Sequence, residues 1–346
     1  MLRAEVLEVK ELGSISDTGD FFSGENVKQF VTVKVTSDEF SGEILQIEHV
    51  IVNQPKYDIV VETGDEVILF CELTDGKIVN AYISDYVRDT SLKYLLILFA
   101  VVLVVFGGIT GFKSLISLAV TGIVIIYILL PVVLKGYSPI VATVLACTFI
   151  TAVTFVLIGG FRIKTFSAFI GTVGGVIVAG VLAVVAGEAA QLTGFSEEEM
   201  YMLQFIPRGI DFDYKGLLFA GMIIGALGAV MDVSMSIASA MDEMNKINNN
   251  NVGIKKLVIG GINIGKDIMG TMSNTLILAY TGSAMPLMLI FMAHDIPYLK
   301  IINLDIIATE IVRALAGSIG LIFSVPLTAI AAGIILSIRN KNSFLR

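Results

Sequence analysis

From Leu92 onward the chain returns repeatedly to apolar runs of about 20 residues, the length a helix needs to cross ~30 Å of hydrocarbon. No feature constrains folding more. Inside a bilayer every backbone polar group must find its partner within the protein, and only helices or closed barrels achieve this. A β-barrel would show shorter segments of alternating polarity, so these runs read as helices. With 55% of 346 residues hydrophobic, there is more apolar sequence than a soluble core can hide. Spans are expected over Leu92–Gly111, Ser114–Leu134, Pro139–Gly160, Thr165–Leu192, Gly216–Met241, Leu257–Tyr280 and Ser318–Ile338, seven in all. The stretch Ala284–Ala293 is too short to span and contains Pro286. With Asp295–Arg313 it reads as a re-entrant or interfacial piece, eight spans being the alternative.

The N-terminal part differs in kind. Residues 1–88 carry 7 Lys+Arg against 17 Asp+Glu, net −10, while the remaining chain is +2. This marks a boundary between an acidic soluble domain (1–88) and a transmembrane domain (89–346), and it argues against nucleic acid as a partner. Val31, Val33 and Val35 alternate with Thr32, Lys34 and Thr36, and Val67, Leu69, Cys71 and Leu73 form a second period-2 run, as in half-buried strands. Asp75-Gly76 between Leu73 and Ile78 is a hairpin signal, because a tight primed turn needs positive φ. With runs near Ala4–Leu12, Ile44–Val52 and Ile78–Tyr86, about five strands emerge, and a small OB-like or SH3-like barrel is the expected closure, with a sandwich as the alternative. The Gly/Ser/Asp-rich stretch Gly13–Gly24 reads as a loop.

Five ionisable residues fall inside lipid-like sequence: Asp232, Lys266, Asp267, Glu310 and Arg313. A charge at the bilayer centre costs at least ~2.5–3.5 kcal/mol, so such groups turn to a bundle interior or a wet cavity and take partners there. Asp232, Ser236, Ser239 and Glu243 are spaced 4, 3, 4 and share one helix face; Asn263, Asp267, Gly270 and Asn274 repeat the spacing on the next span. Two such stripes on consecutive helices would line one polar cavity. Gly260, Gly261, Gly265 and Gly270 crowd the second of these spans and suggest an unwound helix. Glu310 and Arg313, at i and i+3, are expected to neutralise each other, and Lys266 to pair with a carboxylate such as Asp232. One carboxylate is then left over, to be protonated or to bind a monovalent cation. Gly171/Gly175 and Gly221/Gly225 fit G-x-x-x-G and read as close internal packing rather than as a dimer seam. Ser196 with Glu199 fits a capping box for a short loop helix. No His/Cys cluster suggests zinc, and no cofactor can be assigned.

Short-loop cations set the orientation. With the N-terminal domain outside, the cytoplasmic side holds Lys113, Arg162, Lys164, Lys246, Lys255, Lys256, Arg339, Lys341 and Arg346, against Arg88, Lys93, Lys135, Arg208, Lys215 and Lys300 on the other side. An extracytoplasmic β-domain and a cytoplasmic C-terminus follow. Met1-Leu2-Arg3 opens straight into a strand, so either a leader has been removed or the acidic domain is cytoplasmic.

Three long motifs carry a resemblance. Gly209–Ser239 (GIDFDYKGLLFAGMIIGALGAVMDVSMSIAS), Gly265–Tyr280 (GKDIMGTMSNTLILAY) and Ala308–Ser318 (ATEIVRALAGS) closely resemble the YibE/F-like family of bacterial membrane proteins. The resemblance implies a multi-spanning protein of the bacterial inner membrane, usually with a hydrophobic leader before the β-domain; it brings no established activity. Two functions from different classes stand on the residues. The first is a secondary transporter or ion-coupled permease whose substrate or ion site is Asp232, Ser236, Ser239, Asn263, Asp267 and Asn274, with Lys266, Glu310 and Arg313 structural. The second is an envelope assembly or export-accessory protein whose β-domain binds a partner; under either reading the expected partners are the lipid bilayer and a homo- or hetero-oligomer with a related membrane protein. A third, an intramembrane aspartyl protease using Asp232 and Asp267, lacks the Tyr-Asp and Gly-x-Gly-Asp contexts. The chain has no P-loop for ATP-driven transport.

Overall fold

A computed structural model describes residues 1–15, 26–51, 58–196, 198–206, 212–248 and 252–344. Contacts divide the chain into two compact units, Met1–Val102 and Leu103–Arg346. The first holds β1 (Leu2–Ile15), β2 (Asn26–Val35), β3 (Ile44–Ile51), β4 (Glu66–Thr74) and β5 (Lys77–Tyr86) in one antiparallel sheet of order β3-β2-β1-β4-β5. Its edge strands β3 and β5 touch, so the sheet curls into the near-barrel expected of an OB-like domain. Period-2 alternation decides what lies inside. Val31, Val33 and Val35 are fully buried, and they meet Val6, Val67 and Leu69 in a core with β1 at its centre. Register shifts between Val6 and Glu8 and between Ile68 and Leu69 supply the local bend that closure needs. Asp75 and Gly76 both have positive φ, 52° and 75°, and the hairpin pairs Thr74 with Lys77. Leu73, at the tip of that hairpin, is exposed rather than inward. Most of the loop expected at Gly13–Gly24 lies outside the described residues, and β1 continues to Ile15.

After β5 the chain is helical, and α1 runs across the boundary between the units. The helices are α1 (Asp89–Ile123), α2 (Leu130–Val133), α3 (Pro139–Gly159), α4 (Ile163–Ala189), α5 (Glu198–Met202), α6 (Tyr214–Ile247), α7 (Ile254–Ser283), α8 (Met285–Ala293), α9 (Tyr298–Ile302) and α10 (Asp305–Phe344). A π-helical turn, Val124–Leu129, joins α1 to α2 just ahead of Pro131, whose missing N–H disturbs the ladder there. Five helical stretches are long and apolar enough to cross a membrane, or six if α7 and α8, bent by 57° at their junction, act as one span. The count is below the seven expected, and the difference lies at the start. Asp89–Val133 is one stretch of 45 residues. It is broken at Gly108, with non-helical φ 55° and ψ −136° that glycine alone tolerates readily. The bend brings the Leu103 carbonyl against Gly111, where no Cβ would fit. At the other end α10 begins at Asp305, well before Ser318, so Glu310 and Arg313 belong to a long helix and not to a re-entrant piece. The short apolar segment survives as α8. The loop helix α5 forms after Ser196, whose hydroxyl makes no hydrogen bond among the described residues.

The bundle is built around α6 and α10. Ile223, Val230 and Ile237 recur every seven residues on α6 and are fully buried against Leu321, Val325 and Ala329 of α10. On α4 the residues Gly171, Gly175, Ala179 and Ala183 form a small-residue ridge against α10. Thr328 lies over Gly171, and the Gly320 carbonyl and Ser324 lie over Gly175, so this G-x-x-x-G serves internal packing as expected. Gly221 and Gly225 behave differently, both being exposed, with Gly225 beside the Tyr280 hydroxyl of α7.

Candidate functional site

Two ends of the bundle can be told apart by contacts. At one, Asn245 of α6 and Asn340 of α10 form a buried reciprocal amide pair at 3.0 and 3.3 Å, and Gly333 packs on Val258 near the start of α7. Gly159, closing α3, lies by Thr165 and Met235, and Ser117 bonds Thr154 at 2.6 Å, which brings Lys113, Arg162 and Lys164 to that end with Lys246, Lys255, Lys256 and Arg339. At the other end Phe219, Leu192 and Val312 share a cluster, and Thr193 donates to Asp305 at 2.7 Å; Lys135, Lys215 and Lys300 lie there. Of the cations placed in this way among the described residues, seven lie at the first end and three at the second.

Midway between those ends lie the two stripes. Asp232 is near the middle of the 34-residue α6, and Lys266 and Asp267 near the middle of the 30-residue α7. Asp232 and Ser236 are exposed, Ser239 is half-buried and Glu243 is exposed. On α7, Asn263, Lys266, Asp267, Gly270 and Asn274 are all exposed. The expected polar cavity is therefore not enclosed by the described residues: both stripes face away from the core. The reason is packing. Helix α7 meets α6 and α10 through Gly260, Gly261 and Gly265, where added Cβ atoms would strike Met244, Met241, Val325 and Ile237. Those glycines do not unwind the helix, which is continuous from Ile254 to Ser283; they let it approach closely. The break comes later, at the 57° bend before Pro286. With that face engaged, the polar stripe is turned outward. Asp232, Lys266 and Asp267 make no ion pair or hydrogen bond among the described residues, so the expected Asp232–Lys266 pair is absent.

Glu310 and Arg313 do pair, at 3.0 Å, with side chains 18% and 20% exposed. They neutralise each other beside a hollow of about 200 Å³ bordered by Ile277, Tyr280, Met288, Glu310 and Ala314, under the bent α7–α8 junction.

Family comparison covers both units. Residues 2–86 match the YibE/F family N-terminal domain and residues 95–338 match the model described as YibE/F-like protein. The chain belongs to the YibE/F-like family. No curated protein and no solved structure gave a significant match. For this YibE/F-like chain the N-terminal match spans β1–β5, and the second match includes every intramembrane charge named above. It is a multi-pass membrane protein with an N-terminal β-domain.

Several polar residues escaped the sequence reading. Thr172, Ser234 and Thr328, on α4, α6 and α10, are fully buried, and their hydroxyls have no partner among the described residues. A lone Ser or Thr inside an apolar run carries no charge and no spacing signal, so nothing local sets it apart. The Asn245–Asn340 pair joins residues 95 positions apart. Asp242, buried beside α6's end, is held by Lys246 at 2.8 Å, and this pair was visible as an i, i+4 spacing.

Proposed function

We propose that the chain is a subunit of an ion-coupled permease of the bacterial cytoplasmic membrane, in which Asp232 takes up and releases a proton or monovalent cation. Ser236, Ser239, Asn263, Asp267 and Asn274 line the passage, and no bound cofactor enters this reading. One observation carries it: two carboxylates and one ammonium lie mid-helix, exposed and without partners among the described residues. Facing hydrocarbon, each would cost at least ~2.5–3.5 kcal/mol. The surplus of one carboxylate is relieved by protonation or by a bound cation. Because the bundle does not enclose these groups, another polypeptide supplies the second wall, in a homo- or hetero-oligomer. The cation-rich end faces the cytoplasm, with the acidic β-domain outside; the two arms of α1 on either side of Gly108 then each cross, which makes seven crossings with α7 and α8 counted as one.

The test is flux through the purified protein in liposomes carrying a pH-sensitive dye, under imposed proton, Na⁺ and K⁺ gradients. Asp232→Asn should abolish coupled flux while leaving the elution profile unchanged. Wild-type flux no greater than that of empty liposomes, or full flux in Asp232→Asn, would remove the proposal. An impermeant thiol reagent on whole cells checks the orientation: a cysteine at Lys135 should label and one at Lys256 should not.

The same outward faces favour a second reading, an export or assembly accessory whose polar helix docks on a different membrane protein. It would show as stable co-purification with that protein and no flux.

A further inference from the structure

We propose that the exposed polar face of α7 is self-complementary and joins two copies of this chain as a parallel two-fold dimer, Lys266 of one copy pairing with Asp267 of the partner subunit. This rests on the permease reading, for which it supplies the second wall: Asn263, Asp267 and Asn274 form the seam where the two walls meet, and Asp232, Ser236 and Ser239 stay open to the passage.

The geometry comes from the helix itself. At 100° per residue, Asn263, Gly270 and Asn274 form a nearly straight line, with Lys266 about 60° to one side and Asp267 about 40° to the other. All five are exposed. The opposite side of α7 is taken up by α6 and α10 through Gly261, Gly265, Leu257 and Leu276. A two-fold axis along the membrane normal sets the two α7 helices side by side at equal depth and brings the Lys266 flank of one against the Asp267 flank of the other. Two reciprocal ion pairs result. An antiparallel pairing would instead put the like-charged flanks on the same side, and turning either helix about its own axis would take the charges out of the contact. Gly270 sits at the centre of the line, and a Cβ there would meet nothing within 4 Å, so the backbones can approach at that level. Asn263 and Asn274 would then face their own copies, and a carboxamide, which both donates and accepts, can pair with itself.

Lipid offers no such partners to a lysine, an aspartate and two amides at mid-depth, whereas a second copy satisfies all four. Closed two-fold pairing is also the commonest arrangement of identical subunits. The charge count then becomes simple. Lys266 and Asp267 cancel across the interface, and Asp232 is left as the uncompensated carboxylate of each subunit, which is the group assigned to proton or cation uptake.

The experiment uses the full chain in its native membrane, with Cys71 and Cys147 replaced by serine and single cysteines introduced at Asn263, Gly270 or Asn274. Copper phenanthroline should give a dimer band at all three positions. Cysteines at Val181 and Val185, exposed on α4, should give none. Lys266→Asp and Asp267→Lys should each reduce the dimer band roughly tenfold by setting like charges opposite one another. The double variant, which exchanges the two flanks, should restore it. A purely structural role for Lys266 would not be rescued by exchange. Protein that elutes normally but does not cross-link, that cross-links to another polypeptide, or whose double variant is not rescued would overturn the dimer. Flux lost in Asp232→Asn without cross-linking leaves the permease and removes the dimer; cross-linking with full flux in Asp232→Asn leaves the dimer and removes the permease.

Discussion

Replacing Gly175 by alanine should wedge apart α4 and α10, the most extensively packed helix pair of the bundle. An added Cβ would stand 2.8 Å from the Gly320 carbonyl oxygen, 2.9 Å from Ser324 Cβ and 2.9 Å from Val230 Cγ1, where ordinary contacts begin near 3.4 Å. None of the three has room to withdraw. One belongs to the α10 backbone, and Val230 and Ser324 are fully buried. Overpacking a well-filled interior costs ~1–3 kcal/mol, and alanine returns up to ~1 kcal/mol through its better helix propensity, so a net loss of about 1–2 kcal/mol is expected. In hydrocarbon nothing compensates, because lipid tails are as apolar as the side chains and close packing is what holds helices together. At roughly 2–4 °C per kcal/mol for a chain of this size, the apparent Tm of the purified protein, followed by fluorescence-detected size exclusion after heating, should fall by about 2–8 °C. Gly228→Ala is the matched control. Nothing lies within 4 Å of a Cβ there, so the same chemical change should leave Tm unchanged or raise it slightly. Equal shifts in the two variants, or a stabilised Gly175→Ala, would refute the idea that glycine is required for contact at 175.

Three further outcomes are expected. Asn245→Ala strands the buried Asn340 amide and should cost ~1–3 kcal/mol, while a double replacement with Asn340→Ala should cost less than the two single losses added, in the same thermal assay. In the β-domain, Tyr86 donates to the Val60 carbonyl; burial, then the nearby Asp65 carboxylate, pushes its phenol above the usual tyrosine value. The folded state thus favours the neutral phenol. This contribution is complete below the unfolded value of ~10 and is lost as pH rises from there through the folded value. Residues 1–88 expressed alone should melt cooperatively, and the stability gap between wild type and Tyr86→Phe should narrow above pH ~10 in denaturant titrations; a gap constant to pH 11 would contradict it.

What could be read from residue order alone was whatever is local or one-dimensional. The length of an apolar run decides membrane class without reference to any neighbour, and period-2 alternation decides which face of β2 is inward, since adjacent side chains must point oppositely. Asp75-Gly76 marked its own turn, because positive φ is a property of the two residues that adopt it. The Glu310–Arg313 pair was legible as a spacing, and the long motifs around Asp232 and Asp267 were enough to point to the family. The stripes on α6 and α7 were legible too, but only as stripes. Which way each one faces depends on how its helix is rotated about its own axis, and that is decided by contacts between residues far apart. Gly261 and Gly265 meeting Met241 and Val325 turn Asn263, Lys266 and Asp267 outward, and no window of sequence records that choice. The same holds for the break at Gly108: a glycine inside an apolar run is compatible with a straight helix, a loop or a sharp bend, and only the packing of the surrounding chain selects among them.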